Sequence, residues 1–198
     1  MNFTRGKIMQ IEDENWERIC KFWGKISHAT ASPNIPYCVF ATVNEDGSPR
    51  IAPYSSLILC ENKKGFFFDQ FAQQMTKNFD RDRKISILLL KTSRWFWVKA
   101  VLFGKFDHAP GIRLMGSVGK KREAEVQEID AFKRSLRMLK SFRGYEPLWG
   151  NMKYCRDILF ESFETVKCGP MKYSHNSSFA PKCDNRRPCG RDDGVDER

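Results

Sequence analysis

Arg50 and the triplet Thr76-Lys77-Asn78 are the residues in this chain best equipped to grip a phosphate. A phosphate near two negative charges calls for charge-assisted donors, and a guanidinium and an ammonium supply two of them. A helix beginning near Thr76 would add backbone N–H groups and a favourable dipole, and the Thr76 hydroxyl one more donor. Just after Arg50, "APYSS" carries Pro53, which has no N–H. A strand ladder is interrupted there, and that leaves backbone groups for a ligand. The plainer reading makes Arg50 a solvated hairpin residue, Lys77 an ordinary exposed lysine, and "QFAQQMTKN" a polar turn between two core strands.

Other chemistries find less support. No Ser-His-Asp set, carboxylate pair or P-loop is legible, and His28, His108 and His175 stand alone. Cys168, His175, Cys183 and Cys189 are spaced C-x6-H-x7-C-x5-C, which matches no tight metal motif. They are read as surface thiols or a tail–body contact; a metal or cluster is the alternative, and none is assigned. Cys20, Cys38 and Cys60 fall in apolar or amphipathic stretches and read as reduced core residues.

Several elements must position the phosphate-gripping set. Residues 14–26 carry Trp16, Ile19, Cys20, Trp23 and Ile26 on one helical stripe, with Asp13 available as a cap. "YCVFATV" and "PRIAPYSSLIL" flank "NEDG", where Asp-Gly supplies the positive φ of a tight hairpin. "CENKKG" is a second turn, leading into "FFF". "KISILLL", "WFWVKAVLFGKFD" and "DILFESFETVK" read as three further strands. Before the last of them, a long helix is expected over about residues 120–142, with Val126, Ile129, Phe132, Leu136 and Leu139 as its stripe. Strands joined by short turns favour an antiparallel meander that closes or nearly closes into a barrel.

With 198 residues and 41% hydrophobic content, the chain can fill one domain. Residues 1–167 are assigned to it, and residues 168–198 to a polar, Cys-containing tail whose apolar content collapses. No stretch is apolar and long enough to span a membrane, and the first residues lack a signal-peptide core, so a cytoplasmic protein without membrane contact is expected. The net charge of +10 is scattered, with only "KKR" and "NRRP" as basic runs. Anionic small molecules suit it better than nucleic acid, which would want a dense basic stripe.

The ordered set of a helix, "FATVNEDGSPRIAPYSS", "GFFFDQ…TKNFDRDRKISILLL" and "WVKAVLFGKF" resembles the pyridoxamine 5'-phosphate oxidase-like family of FMN-binding split barrels. That resemblance implies an α+β fold, mainly β with helices. In it, a six-stranded antiparallel split β-barrel carries an N-terminal helix and a long helix before the last strand. It implies a flavoprotein oxidoreductase acting on a small molecule as a homodimer with FMN at the interface.

Residue by residue, Arg50 matches the family's first phosphate-binding residue, and Ile51, Ala52, Pro53, Tyr54 and Ser55 follow it along the strand. Phe68, Asp69 and Gln70 match the aromatic-then-polar step beside the flavin ring. Thr76, Lys77 and Asn78 match the phosphate-facing helix start, and Lys99 takes the position of a flavin-reaching glutamine. Ser55 stands where the oxidases carry lysine, which weakens a full oxidase-type phosphate clamp, and the Arg-Leu-x-Pro ending of the true oxidases is absent, which argues against pyridoxamine phosphate as the substrate. No catalytic residue is assigned. The alternative reading is a split barrel that has lost its flavin and serves as a binding or regulatory protein.

Overall fold

The turn at residues 44–48 shows how the sheet begins. Gly47 adopts φ 83°, its N–H donates to the Asn44 carbonyl at 3.0 Å, and Asn44 N–H donates to the Ser48 carbonyl at 2.8 Å. Asp-Gly therefore does what a tight hairpin asks of it. In the computed structural model, which describes residues 8–27, 38–70, 73–91, 93–168 and 171–173, this turn joins two strands of one large curled antiparallel sheet.

In chain order the elements are β1 (Met9–Gln10), α1 (Asp13–Ser27), β2 (Cys38–Val43), β3 (Pro49–Tyr54), β4 (Ile58–Leu59), β5 (Lys64–Phe68), α2 (Gln73–Arg81) and β6 (Lys84–Leu90). Then come α3 (Arg94–Phe103), β7 (Lys105–Phe106), β8 (Gly111–Val118), β9 (Arg122–Glu123), α4 (Val126–Ser135), β10 (Tyr154–Val166) and β11 (Lys172–Tyr173). The sheet runs β3-β2-β6-β8-β10-β5-β4, with β1 and β9 also on β10. This is the split-barrel architecture, with nine strands in the main sheet where six were expected; the extra ones are two-residue pieces and β8. β11 pairs in parallel with β7, so the chain beyond Val166 returns to the body before residue 174.

β10 makes the curl possible. It pairs with β8 along residues 158–166 on one edge and with β5 along 155–159 on the other. A bulge between Phe160 and Ser162 bends it. At this point Gly116 passes so close that a Cβ would lie 2.1 Å from the Leu159 carbonyl oxygen, so no larger residue fits without parting the two strands.

Two clusters form the core. The larger holds Trp16, Ile19 and Trp23 of α1 with Phe40, Tyr54, Phe67, Met75, Phe79, Ile87, Leu114 and Phe160. Trp16 Nε1 donates to the Cys60 carbonyl and Trp23 Nε1 to the Leu57 carbonyl, fixing α1 across the strands that follow β3. Asp13 is the first residue of that helix, and its carboxylate lies 3.1 Å from Lys63 Nζ. The smaller cluster lies on the other face, where Phe66, Phe68 and Cys155 meet Phe132, Leu136, Tyr145 and Trp149.

Three expectations differ from this structure. The run 95–107 forms helix α3 and the short β7 rather than a strand; the strand beside β6 is β8, "GIRLMGSV". Gly104 closes the helix in the left-handed region at φ 62°, while Ser93 occupies the N-cap position without a side-chain cap bond, so the glycine stop is the local signal set against the β propensity of Trp, Phe and Val. The helix expected over 120–142 is shorter: β9 comes first, α4 covers ten residues, and a 3-10 turn at Arg137–Leu139 follows. Phe132 and Leu136 are buried, whereas Val126 is 73% exposed and outside the stripe. Arg122 anchors β9, pairing with both Glu128 and Asp157 at 2.6 Å. Among the cysteines, Cys38 and Cys155 are buried, Cys20 is half-buried, and Cys60 is exposed rather than a core residue. Burial, with the Glu128 carboxylate as the next cause, pushes the Cys155 thiol up to about 12. His175, Cys183 and Cys189 lie outside the described residues.

Candidate functional site

α2 rides on the sheet through polar side chains. Asn78 is buried, and its amide donates to Thr42 Oγ1 and to Asn44 Oδ1, each at 2.9 Å. Thr42 in turn faces Met75 Sδ at 3.2 Å. Thr42 and Arg50 are paired across the β2–β3 ladder, and directly paired residues project from the same face. Arg50 therefore emerges on the face that carries α2, one residue-pair from the end of the hairpin. Lys77, next to Asn78 on α2, is exposed, as is Arg50. Neither the Arg50 guanidinium nor the Lys77 ammonium has a hydrogen-bond or ion-pair partner among the described residues.

β3 is an edge strand, bonded to β2 alone. Pro49 and Pro53 have the same parity in it, and a proline belongs where its missing N–H points away from the neighbouring strand. The outer edge of β3 thus offers the backbone groups of Ile51 between two prolines. Ala52 and Tyr54 point inward with Arg50, opposite Phe40 and Cys38, while Ile51 and Pro53 face out and Ser55 lies just past the strand end, half-buried. The Tyr54 ring stacks on Phe40 at 4.2 Å and meets Phe67 edge-on at 5.3 Å. Its hydroxyl is buried with no hydrogen-bond partner among the described residues. Burial and then the nearby Asp69 carboxylate raise the Tyr54 pKa well above the usual phenol range, so it stays protonated.

The remaining sequence-derived residues are engaged with the protein itself. Asp69 is fully buried: its Oδ2 accepts from Arg156 Nε at 2.6 Å, its Oδ1 from the Thr76 hydroxyl at 2.6 Å, and its N–H donates to the Tyr154 carbonyl at 3.0 Å. Thr76, in the first turns of a helix that begins at Gln73, therefore directs its hydroxyl inward. Gln70 braces the segment before β10, its Oε1 accepting from Lys153 N–H at 3.0 Å and its Nε2 donating to the Asn151 carbonyl. Phe68 packs on Phe132 in the smaller cluster. Lys99 sits exposed on α3, not on the strand beside β6 that its match assumed.

The residue that the sequence reading passed over is Arg156. It is 1% exposed and pairs with Asp69, while its Nη1 donates to the Gly119 carbonyl at 3.2 Å and its guanidinium lies 5.6 Å from the Phe79 ring centre. Its signal was parity, since Arg156, Ile158 and Phe160 share the inward face of β10.

The profile of the pyridoxamine 5'-phosphate oxidase family matches residues 27–141, more than half of the chain. The chain belongs to that family. The matched range takes in β2 through α4 and so both phosphate-gripping candidates, Arg50 and Lys77. No curated protein matches the chain. Among solved structures, an FMN-binding protein from Syntrophomonas wolfei is 16% identical, covering 78% of this chain and 94% of that one at a TM-score of 0.48. HupZ of Group A Streptococcus is 18% identical, covering 67% and 90% at a TM-score of 0.44. A NimC/NimA family protein from Clostridium acetobutylicum is 14% identical, covering 77% and 87% at a TM-score of 0.44. None of the three is close enough to lend this family member a function.

Proposed function

We propose that this member of the family binds FMN and acts as an oxidoreductase on a small molecule, as a homodimer. The observation that carries the reading is that α2, the helix of Lys77, packs through Asn78 on the face of the sheet from which Arg50 emerges, both cations being exposed. The surroundings fit the group. The FMN phosphate suits these two side chains, and the open edge of β3 suits the polar rim of the flavin. Bound FMN would supply the redox chemistry, and this chain would hold and orient it. Asp69 and Asn78 serve the site indirectly: they fasten the start of α2 and the end of β2, so the spacing of Arg50 and Lys77 is set by buried hydrogen bonds.

Lys77→Ala and Arg50→Ala should each weaken FMN uptake by about 1.5–3 kcal/mol, the range for a hydrogen bond to a charged group. Quenching of flavin fluorescence on titration measures this. Lys99→Ala, on exposed α3, is the comparison and should change little. Affinity equal to the parent in both Arg50→Ala and Lys77→Ala would overturn the site.

The dimer reading draws on α3. Its one buried residue is Ala100, while Trp95 is 74% exposed, Val101 80%, Leu102 74% and Phe103 64%. Apolar residues gathered on one helix make a patch of the kind that soluble monomers rarely leave uncovered. Trp95→Asp combined with Leu102→Asp should shift the protein from dimer to monomer in sedimentation velocity. A parent chain that is monomeric at tens of micromolar would defeat this part of the reading.

A second reading, a barrel without flavin chemistry, is favoured by Ser55 at a position where the oxidases carry lysine. The absorption spectrum of the purified protein separates the two: flavin bands and FMN uptake belong to the first reading alone.

A further inference from the structure

At the C-terminal end of α2, a cleft of about 370 Å³ opens between α2, the β8–β9 connection and β10. Its floor is Arg156 and its walls carry Arg83, Lys120 and Lys121, with Asp80 as the one carboxylate. Arg83, Lys120 and Lys121 are exposed, whereas Arg156 is 1% exposed. Four cations surround a concavity whose size matches a small-molecule pocket, with Asp80 on its rim and Asp69 paired with Arg156 beneath it.

Arg156 is more than a brace. Nε is taken by Asp69 and Nη1 by the Gly119 carbonyl, both facing the protein interior. Nη2 is buried and lies 2.8 Å from Asp80 Oδ1, close enough for the charges to attract but out of line for a hydrogen bond. Asp80 is itself 61% exposed on the rim, so its carboxylate can turn into solvent. A buried guanidinium N–H with no aligned acceptor is an expensive group to leave so, and an anion entering the cleft would satisfy it. The walls are fixed in advance: Val118 N–H donates to the Arg83 carbonyl and Gly119 N–H to the Asp157 carbonyl, each at 2.8 Å. Lys121 Nζ is steadied 5.0 Å from the Tyr154 ring centre.

We infer that this cleft is a second anion site, taking the phosphate or pyrophosphate group of a small molecule on Arg156, Arg83, Lys120 and Lys121. Four cations around one hollow suit a compact polyanion; a nucleic-acid backbone would call for a longer basic stripe. The inference stands apart from the flavin reading, because it uses none of the residues assigned to FMN.

The test is calorimetric titration of the full chain with pyrophosphate at fixed ionic strength, with and without saturating FMN. With FMN bound, one site per chain is expected; without FMN the same site keeps its affinity, and any further binding belongs to Arg50 and Lys77. Arg83→Ala and the double change Lys120→Ala, Lys121→Ala should each weaken it by about tenfold or more, as expected for loss of charge-assisted contacts. Arg50→Ala and Lys77→Ala should leave it unchanged. These variants are on the surface, so the test does not depend on an Arg156 variant that folds. Affinity unaltered by the Arg83 and Lys120/Lys121 changes would overturn the inference. So would competition by FMN with loss in the Arg50 and Lys77 variants, which would move the anion to the flavin-phosphate residues. A short single-stranded oligonucleotide that binds tighter than pyrophosphate through the same four cations would also overturn it.

Discussion

Arg156→Met should lower the stability of the fold by about 3–5 kcal/mol, the cost typical of breaking a buried ion pair from one side. Asp69 is 0% exposed and its Oδ2 depends on Arg156 Nε for charge compensation. Removing the guanidinium leaves a buried carboxylate with the Thr76 hydroxyl as its one hydrogen-bond donor among the described residues. It also strips an acceptor's partner at Gly119 and loosens Asp80, so α2 loses its tie to β10. Asp69→Asn should cost less, because Arg156 keeps Asp80 and the Gly119 carbonyl. The double change Asp69→Leu, Arg156→Met should be milder than the sum of the single effects, since it buries no unpaired charge. Urea unfolding at an unchanged m-value measures all three. A loss below about 1 kcal/mol for Arg156→Met would mean that water reaches the pair and the ion pair is not a structural member.

What could be read from the sequence follows from how local the determinants are. The hairpin at Gly47 needed only Asp-Gly between two apolar runs, and β6 coincides with "KISILLL" because alternation over a short span is self-contained. Residues 95–107 were misjudged for the opposite reason. Their composition favours a strand, and the helix signal on the other side, a glycine at its C-terminal end, is a single residue easily outweighed by Trp, Phe and Val. The same error hid β8, whose two glycines and arginine look unlike a central strand until the close approach of Gly116 to Leu159 is known.

The candidate site was legible in part. Arg50 and Lys77 are charged residues at recognisable positions, and their residue types alone announce what they can grip. Asp69, Gln70, Thr76 and Asn78 were chosen by the same pattern, yet their polar atoms bond to Arg156, Lys153, Asp69 and Thr42. Sequence shows a donor but not which way it points. Arg156 was missed because its partner lies 87 residues away, and no short-range pattern links an arginine in β10 to a carboxylate after β5.

Phe67 is where the fold and the proposed site meet, and Phe67→Ala should cost about 3–5 kcal/mol of stability. The ring is 0% exposed and touches three others: Phe40 at 4.9 Å, Tyr54 at 5.3 Å and Phe79 at 5.5 Å. Tyr54 ends the strand that carries Arg50, and Phe79 is two residues from Lys77 on α2. Emptying this position therefore removes the common support of both phosphate-gripping elements, whereas Phe67→Leu refills most of the volume and should cost less than half as much. The control is Phe132→Ala in the smaller cluster, a residue 1% exposed and packed on Phe68. It should destabilise the fold by a similar amount through the same cavity term. Phe132 belongs to the smaller cluster, whereas Tyr54 and Phe79 belong with Phe67 to the larger one, so FMN affinity measured well below the unfolding midpoint should fall for Phe67→Ala and hold for Phe132→Ala. Equal loss of FMN affinity in both variants would mean that binding tracks global stability alone, and that Phe67 does not specifically hold Arg50 and Lys77 in register.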